Sequence, residues 1–182
     1  MQRRRHFIAA LLAATASISA FAQETQPPAA SPATPPTATT PVVLHTNLGD
    51  IRVALEAERA PLTTKNFLRY VDAKRFDNIT FYRAVKIGEE GKYGLVQGGL
   101  KGDPQLSYPP ISHESPASTG LSHVDGAISM ARLDPGTATA DFFLIVGDLV
   151  SLDGKPDGDP GYAVFGRVTE GMEIVRTILG LP

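Results

Sequence analysis

The chain has 182 residues and no cysteine, with 17 Lys and Arg against 19 Asp and Glu. That size suits one ordinary domain with accessory segments, and the missing thiol excludes a disulfide framework, a thiolate nucleophile and a lipid-anchored cysteine. The charge balance excludes the clustered basic surface that nonspecific nucleic-acid binding requires.

At the N-terminus Arg3, Arg4 and Arg5 precede a mildly apolar run from Phe7 to Phe21, and Ala20-Phe21-Ala22 has the small-x-small pattern of a signal-peptidase site. The run holds about 14 apolar or small residues, short of the roughly 20 that a permanent membrane span needs. Residues 1–22 are therefore expected to be a cleaved secretory signal, with export to the periplasm and no membrane association afterwards. The piece Arg4-Arg5-His6-Phe7-Ile8 also resembles a twin-arginine signal, so the general secretory and twin-arginine routes both stay open. Without the three arginines, 14 Lys and Arg face 19 Asp and Glu, a net charge of −5. Residues 23–41 contain six prolines and almost no bulky apolar side chain. Such a segment cannot bury enough surface to offset its ordering entropy, and it is expected to be an extended, disordered linker.

The folded unit is expected over residues 42–182. Val42–Thr46 and Ile51–Leu55 alternate around Asn47-Leu48-Gly49-Asp50, a hairpin signal. Pro61 opens a predicted helix in which Thr63, Phe67 and Val71 share a face. Short strand-like runs follow at Ile79–Val85, Leu95–Gln97, Ala127–Ala131, Phe142–Val146 and Tyr162–Val168, separated by Gly-, Pro- and Asp-rich loops. Gly171–Leu179 closes as a second amphipathic helix, with Ile174, Val175 and Ile178 on one side. Many short strands with two helices point to a mainly β, mostly antiparallel barrel or sandwich.

Two polar residues interrupt this pattern. Strict alternation puts Arg83 on one face with Phe81 and Val85, and Gln97 on one face with Leu95. A snorkelling arginine and a sheet-edge amide would account for them on alternation alone. Elimination narrows the chemistry: there is no G-x-S-x-G elbow, no G-x-x-x-x-G-K-[ST] and no G-x-G-x-x-G opening a helix. His113-Glu114 and His123 lack metal-ligand spacing, and Asp153–Gly161 lacks the ordered ligands of a calcium loop, so no metal is expected and that loop reads as solvated.

The blocks NLGDIRVAL, ERAPLTTKNFLRYV, FDNITFYR, VQGG, GAISMAR, ADFFLIVGD, LDG and YAVFGRVTEGMEIV follow one another between Asn47 and Val175. In order and spacing they resemble the cyclophilins, the cyclosporin-binding class of peptidyl-prolyl cis-trans isomerases. The resemblance implies a closed antiparallel β-barrel of eight strands capped by two α-helices, with the substrate groove on its outer face. It implies isomerase activity on proline-containing polypeptide clients, no cofactor and a monomer. Arg83 and Gln97 match the catalytic positions. Tyr82, Leu95, Ala131, Arg132, Asp141, Phe143, Leu152 and Tyr162 match the groove, while Phe142 is assigned to barrel packing.

Some positions depart from the family pattern. Tyr82 replaces a common histidine and Asp141 a common glutamine, which adds a negative charge near the groove. Gly94 stands where a pocket aromatic is usual, so Tyr93 is the candidate replacement wall. Ser151 replaces a tryptophan linked to strong cyclosporin binding, so drug affinity is expected to be weak. The connection from Arg83 to Gln97 is longer than usual, and the strand that normally follows the last helix is missing. The alternative function is a proline-peptide binding module with little turnover.

Overall fold

The computed structural model describes residues 38–88, 92–155 and 157–181. The expected signal (1–22) and nearly all of the expected linker lie outside the described residues. Seven strands form one antiparallel sheet: β1 (Thr40–Thr46), β2 (Gly49–Leu55), β3 (Phe81–Ile87), β4 (Tyr93–Gly98), β5 (Ala127–Met130), β6 (Phe142–Val146) and β7 (Ala163–Glu170). Helix α1 (Pro61–Asp72), a single turn α2 (Pro116–Thr119) and α3 (Met172–Gly180) complete it, with a short 3₁₀ turn at Val150–Asp153. The ordered strand begins at Thr40, two residues before Val42, because Thr40 and Pro41 pair with Leu55 and Ala54.

The strand order is β1-β2-β7-β5-β6-β4-β3. β1 and β3 are therefore its two edges, and the sheet is a curled half-barrel of seven strands. An eight-stranded closed barrel was expected; among the described residues there are seven strands, and β1 and β3 are joined neither to each other nor through an eighth strand.

The core follows from alternation. Ile51, Val53, Leu55, Val96, Leu144 and Phe165 are all at most 1% exposed and belong to one cluster. Phe67 of α1 packs edge-on against Phe142 at 5.2 Å and tilted against Phe165 at 5.3 Å, which seats the helix on the inner face. α3 lies against β2, β3, β4 and β6, burying Val175, Ile178 and Leu179. β6 is buried along its whole length, its alternate residues serving the two faces of the sheet.

The start of α1 is held from far along the chain. Ala60, at the N-cap, has no side chain that could accept, and the N–H groups of Leu62 and Thr63 donate to Glu114 at 3.0 and 2.8 Å. A carboxylate there satisfies orphan donors and complements the helix dipole. Glu114→Ala is expected to lower stability by about 1–2 kcal/mol in urea unfolding; an unchanged midpoint would refute this capping role.

Candidate active site

The register across β3, β4, β6 and β5 places four side chains in one row. Arg83 pairs with Gln97, Gln97 with Phe143, and Phe143 with Ser129. Directly paired residues share a face, so the guanidinium, the amide and the aromatic ring stand on neighbouring strands, about 4.8 Å apart per step. The row lies on the face opposite the helical core. Phe142 points the other way, into the rings of Phe67, Phe76 and Phe81.

A β-bulge explains how Arg83 reaches this face. Phe81 pairs with Gly98 and Arg83 with Gln97, so the two residues Phe81 and Arg83 oppose adjacent ones, leaving Tyr82 unpaired between them. The extra residue inverts alternation. Phe81 turns inward toward Phe142, whereas Arg83 and Val85 turn outward with Gln97 and Leu95. The expectation that Phe81 and Arg83 share a face was wrong for this reason. Two glycines then let the end of β4 close in. A side chain at Gly98 would press on the Phe81 ring, and Gly99, at φ +129°, would collide with Asp141 if it carried one.

The polar groups of the row are connected. Arg83 Nη1 donates to Gln97 Oε1 at 3.1 Å, and Gln97 Nε2 donates to the Tyr82 hydroxyl oxygen at 2.7 Å. Arg83 is exposed and Gln97 half-buried. Burial first, then the Asp141 carboxylate, push the Tyr82 phenol pKa up to about 12.

The apolar floor is Phe143, 3% exposed, and around it Leu95, Ala131, Leu152 and Tyr162 are half-buried. Tyr162 stands edge-on to Phe143 at 5.5 Å. Behind the floor lies a feature that sequence reasoning missed. His123, fully buried, stacks on Phe143 at 6.0 Å, with its Nδ1 2.5 Å from Asp153 Oδ1 and its Nε2 3.0 Å from Ser129 Oγ. Asp153 Oδ1 also accepts from the His123 N–H at 2.8 Å, and Asp153 Oδ2 from the Ser122 hydroxyl. Burial holds the imidazole below its ordinary pKa. A neutral ring beside a carboxylate then donates from Nδ1 and accepts the Ser129 proton at Nε2. Ser129 is itself fully buried, so this serine, histidine and aspartate face no substrate and brace the aromatic floor. Asp153 thus belongs to the structure rather than to a solvated loop. Its only signal in the sequence was a histidine set between Leu121 and Val124.

Three expected groove residues, Tyr93, Arg132 and Asp141, have other surroundings. Tyr93 sits on the outer face four residues from Gln97, roughly 13 Å along the strand, its ring against Gly147 and beneath Lys92. It does not wall the pocket. Gly94 faces inward, where a side chain would meet the Val85 carbonyl and Leu179 of α3, so this position borders the core rather than the groove. Arg132 is withdrawn from solvent: its side chain is 3% exposed, donates to Gly161 O from Nε and Nη2, and pairs with Asp159. It fastens the loop before Tyr162 and lies 5.0 Å over that ring. Ala131 N–H is occupied by Asp141 O at 2.8 Å. Asp141 is 9% exposed and accepts from the backbone N–H of Lys101 and Gly102 at 2.8 and 2.7 Å, so its charge is stabilised by the chain. The extra residues between Arg83 and Gln97 extend the β3–β4 pair as far as Ile87 and Tyr93, with residues 89–91 outside the described residues. Among the described residues no three His, Cys, Asp or Glu side chains converge to hold a metal ion.

The comparisons with known proteins point one way. The family model described as cyclophilin type peptidyl-prolyl cis-trans isomerase/CLD matches residues 41–182. Peptidyl-prolyl cis-trans isomerase A of Dickeya dadantii is 37% identical over 81% of this chain and 75% of its own length. Peptidyl-prolyl cis-trans isomerase B of Escherichia coli is 36% identical over 77% of this chain and 84% of its own. Among solved structures, a Cryptosporidium parvum cyclophilin type isomerase crystallised in the presence of the dipeptide Ala-Pro aligns with a TM-score of 0.63. It is 25% identical, covering 79% of this chain and 87% of that one. A curled antiparallel sheet carrying an exposed arginine beside an amide and an aromatic floor is thus matched by sequence along nearly all of its ordered length, and the chain belongs to the cyclophilin-type peptidyl-prolyl cis-trans isomerases.

Proposed function

We propose that this chain is an exported isomerase that accelerates X–Pro bond rotation in proteins of the envelope, with Arg83 as its central catalytic group. The observation that carries the reading is the row Arg83–Gln97–Phe143, which sets a fixed cation beside a floor that fits a prolyl ring. X–Pro rotation is slow because amide resonance must break, against a barrier of roughly 18–20 kcal/mol. In the twisted transition state the prolyl nitrogen becomes pyramidal and a better acceptor. A guanidinium aimed there stabilises the twisted amide more than the planar one, and that difference lowers the barrier. No nucleophile is consumed in such a rotation.

Phe143, Leu95, Leu152 and Tyr162 hold the ring, and Gln97 holds the guanidinium while its rim meets the peptide backbone. The export half of the reading rests on the sequence Arg3–Ala22. One experiment tests both halves: express the full chain with its own N-terminus, recover the periplasmic fraction, measure its intact mass, and follow an Ala-Pro peptide by NMR exchange spectroscopy. A protein beginning at Gln23 that speeds exchange between cis and trans signals is expected. A periplasmic fraction without the protein, or one retaining residues 1–22, refutes export; exchange no faster than in buffer refutes catalysis.

A further inference from the structure

Tyr82 and Arg83 are neighbours in the chain, and on a regular strand their side chains would leave opposite faces of the sheet. Both nevertheless meet the same amide. Arg83 Nη1 donates to Gln97 Oε1 at 3.1 Å, and Gln97 Nε2 donates to the Tyr82 hydroxyl oxygen at 2.7 Å. The bulge makes this possible. Phe81 pairs with Gly98 and Arg83 with Gln97, so Tyr82 is the extra residue and its hydroxyl reaches the same amide as Arg83. One carboxamide is thereby gripped at both ends by consecutive residues of one strand.

The two ends have different work. Among the described residues Gln97 is the one side-chain hydrogen-bond partner of Arg83, which stands exposed on the edge strand β3. The guanidinium is therefore aimed by wherever the amide points. The last torsion of a glutamine is broad and soft, so an amide held only at its carbonyl end swings. Tyr82 removes that freedom by taking the other end. Turning the amide over would set its NH₂ against the guanidinium, donor against donor. The ring that carries the hydroxyl is itself steadied, because it is half-buried and the Lys101 ammonium lies 5.6 Å over its face. With its pKa pushed up to about 12, chiefly by burial, the phenol stays neutral and keeps offering its oxygen to the amide.

We infer that Tyr82 is a positioning residue for isomerisation: acting through Gln97, it fixes the direction in which the Arg83 guanidinium faces the groove. The inference rests on Arg83 being the group that stabilises the twisted amide. It moves Tyr82 from a wall of the substrate groove to a support of the catalytic group. It also gives the β3 bulge a function, since on an unbulged strand Tyr82 and Arg83 could not share one amide.

The test uses the full chain with Tyr82→Phe, Gln97→Ala, the double substitution and, as a reference, Arg83→Ala. Tyr82→Phe keeps the ring and removes only the oxygen. Two quantities are read: kcat and KM on an Ala-Pro peptide, and the Arg83 side-chain Nε–H signal by NMR. Tyr82→Phe is expected to lower kcat by about tenfold with KM changed by less than about twofold, as a mis-aimed group does. It should also move the Arg83 signal. In the Gln97→Ala background Tyr82→Phe should cost nothing further, since the amide through which it acts is gone.

The inference is overturned, with the assignment of Arg83 intact, by any of three results while Arg83→Ala is slow. Tyr82→Phe may keep wild-type kcat, lose it without moving the Arg83 signal, or cost as much without Gln97 as with it. A rise in KM alone would return Tyr82 to the groove wall and equally overturn it. If Arg83→Ala itself retains wild-type kcat, the underlying assignment fails instead. The Arg83 signal and kcat of the single Tyr82→Phe variant decide the matter even if Gln97→Ala fails to fold.

Discussion

Arg83→Ala is expected to lower kcat/KM by about 10²–10³-fold, the loss that follows removal of one preorganised donor from a developing charge. The fold should survive. Arg83 is exposed on an edge strand of the described sheet, and its side chain donates to Gln97 as its one hydrogen bond among the described residues. Substitutions at such positions change stability by only about 0.5 kcal/mol. Activity and stability should therefore separate cleanly, with kcat collapsing while the urea midpoint stays put. Arg83→Lys should not rescue. A lysine can replace the charge, but one ammonium on a flexible stem cannot hold the Gln97 carbonyl and offer a second, fixed donor to the prolyl nitrogen. If the lysine variant recovered full kcat, charge alone would suffice and the geometric account would be lost. If KM rather than kcat carried the effect, Arg83 would be a binding residue and the chain closer to a proline-peptide module.

What the sequence shows about this site, and what it hides, divides along physical lines. Phe143 was told from Phe142 by the resemblance to the family's F-F pair, because Phe142–Val146 is apolar at every position and alternation alone does not separate its two faces. Alternation failed at Phe81 and Arg83. A bulge adds a residue without a composition signal of its own, and Tyr82 looks like any strand residue until its missing partner is seen. Contacts across long sequence distances were invisible for a related reason. Glu114 caps a helix 51 residues earlier, and His123 finds Asp153 30 residues later. Nothing near either residue demands that partner. Arg132 was legible as a site residue by its place beside Ala131, yet burial under Asp159 and Gly161 redirected its side chain. The family pattern fixes where the backbone goes; the substitutions particular to this chain decide which polar atoms remain available.

Acid should unfold this protein through the pair beneath the floor. Burial depresses the His123 pKa, so the ring stays neutral in the fold but takes up a proton in the unfolded chain below its ordinary value of 6.5. Unfolding then binds a proton, and stability falls as pH drops below that point. Burial alone would raise Asp153, but the hydrogen bonds from Ser122, the His123 ring and the His123 N–H outweigh it and hold the carboxyl below its ordinary 3.8. Its contribution is full above that value and is lost as pH falls through the lowered pKa. Both groups act in the same direction, so the melting temperature should decline from pH 7 downward, with a second, steeper loss in the carboxylate range. His113, also lowered by burial, adds to the first phase. Asp153→Ala strips the acceptor from a buried imidazole, its backbone N–H and the Ser122 hydroxyl, at a cost of about 3–5 kcal/mol. Isomerase activity should fall with it, since Leu152, Tyr162 and Phe143 rest on that brace. His123→Phe keeps the stacked ring but cannot titrate, so its stability should depend less on pH between 7 and 5 than that of the wild type. Parallel pH curves for the two proteins would show that the acid sensitivity resides elsewhere.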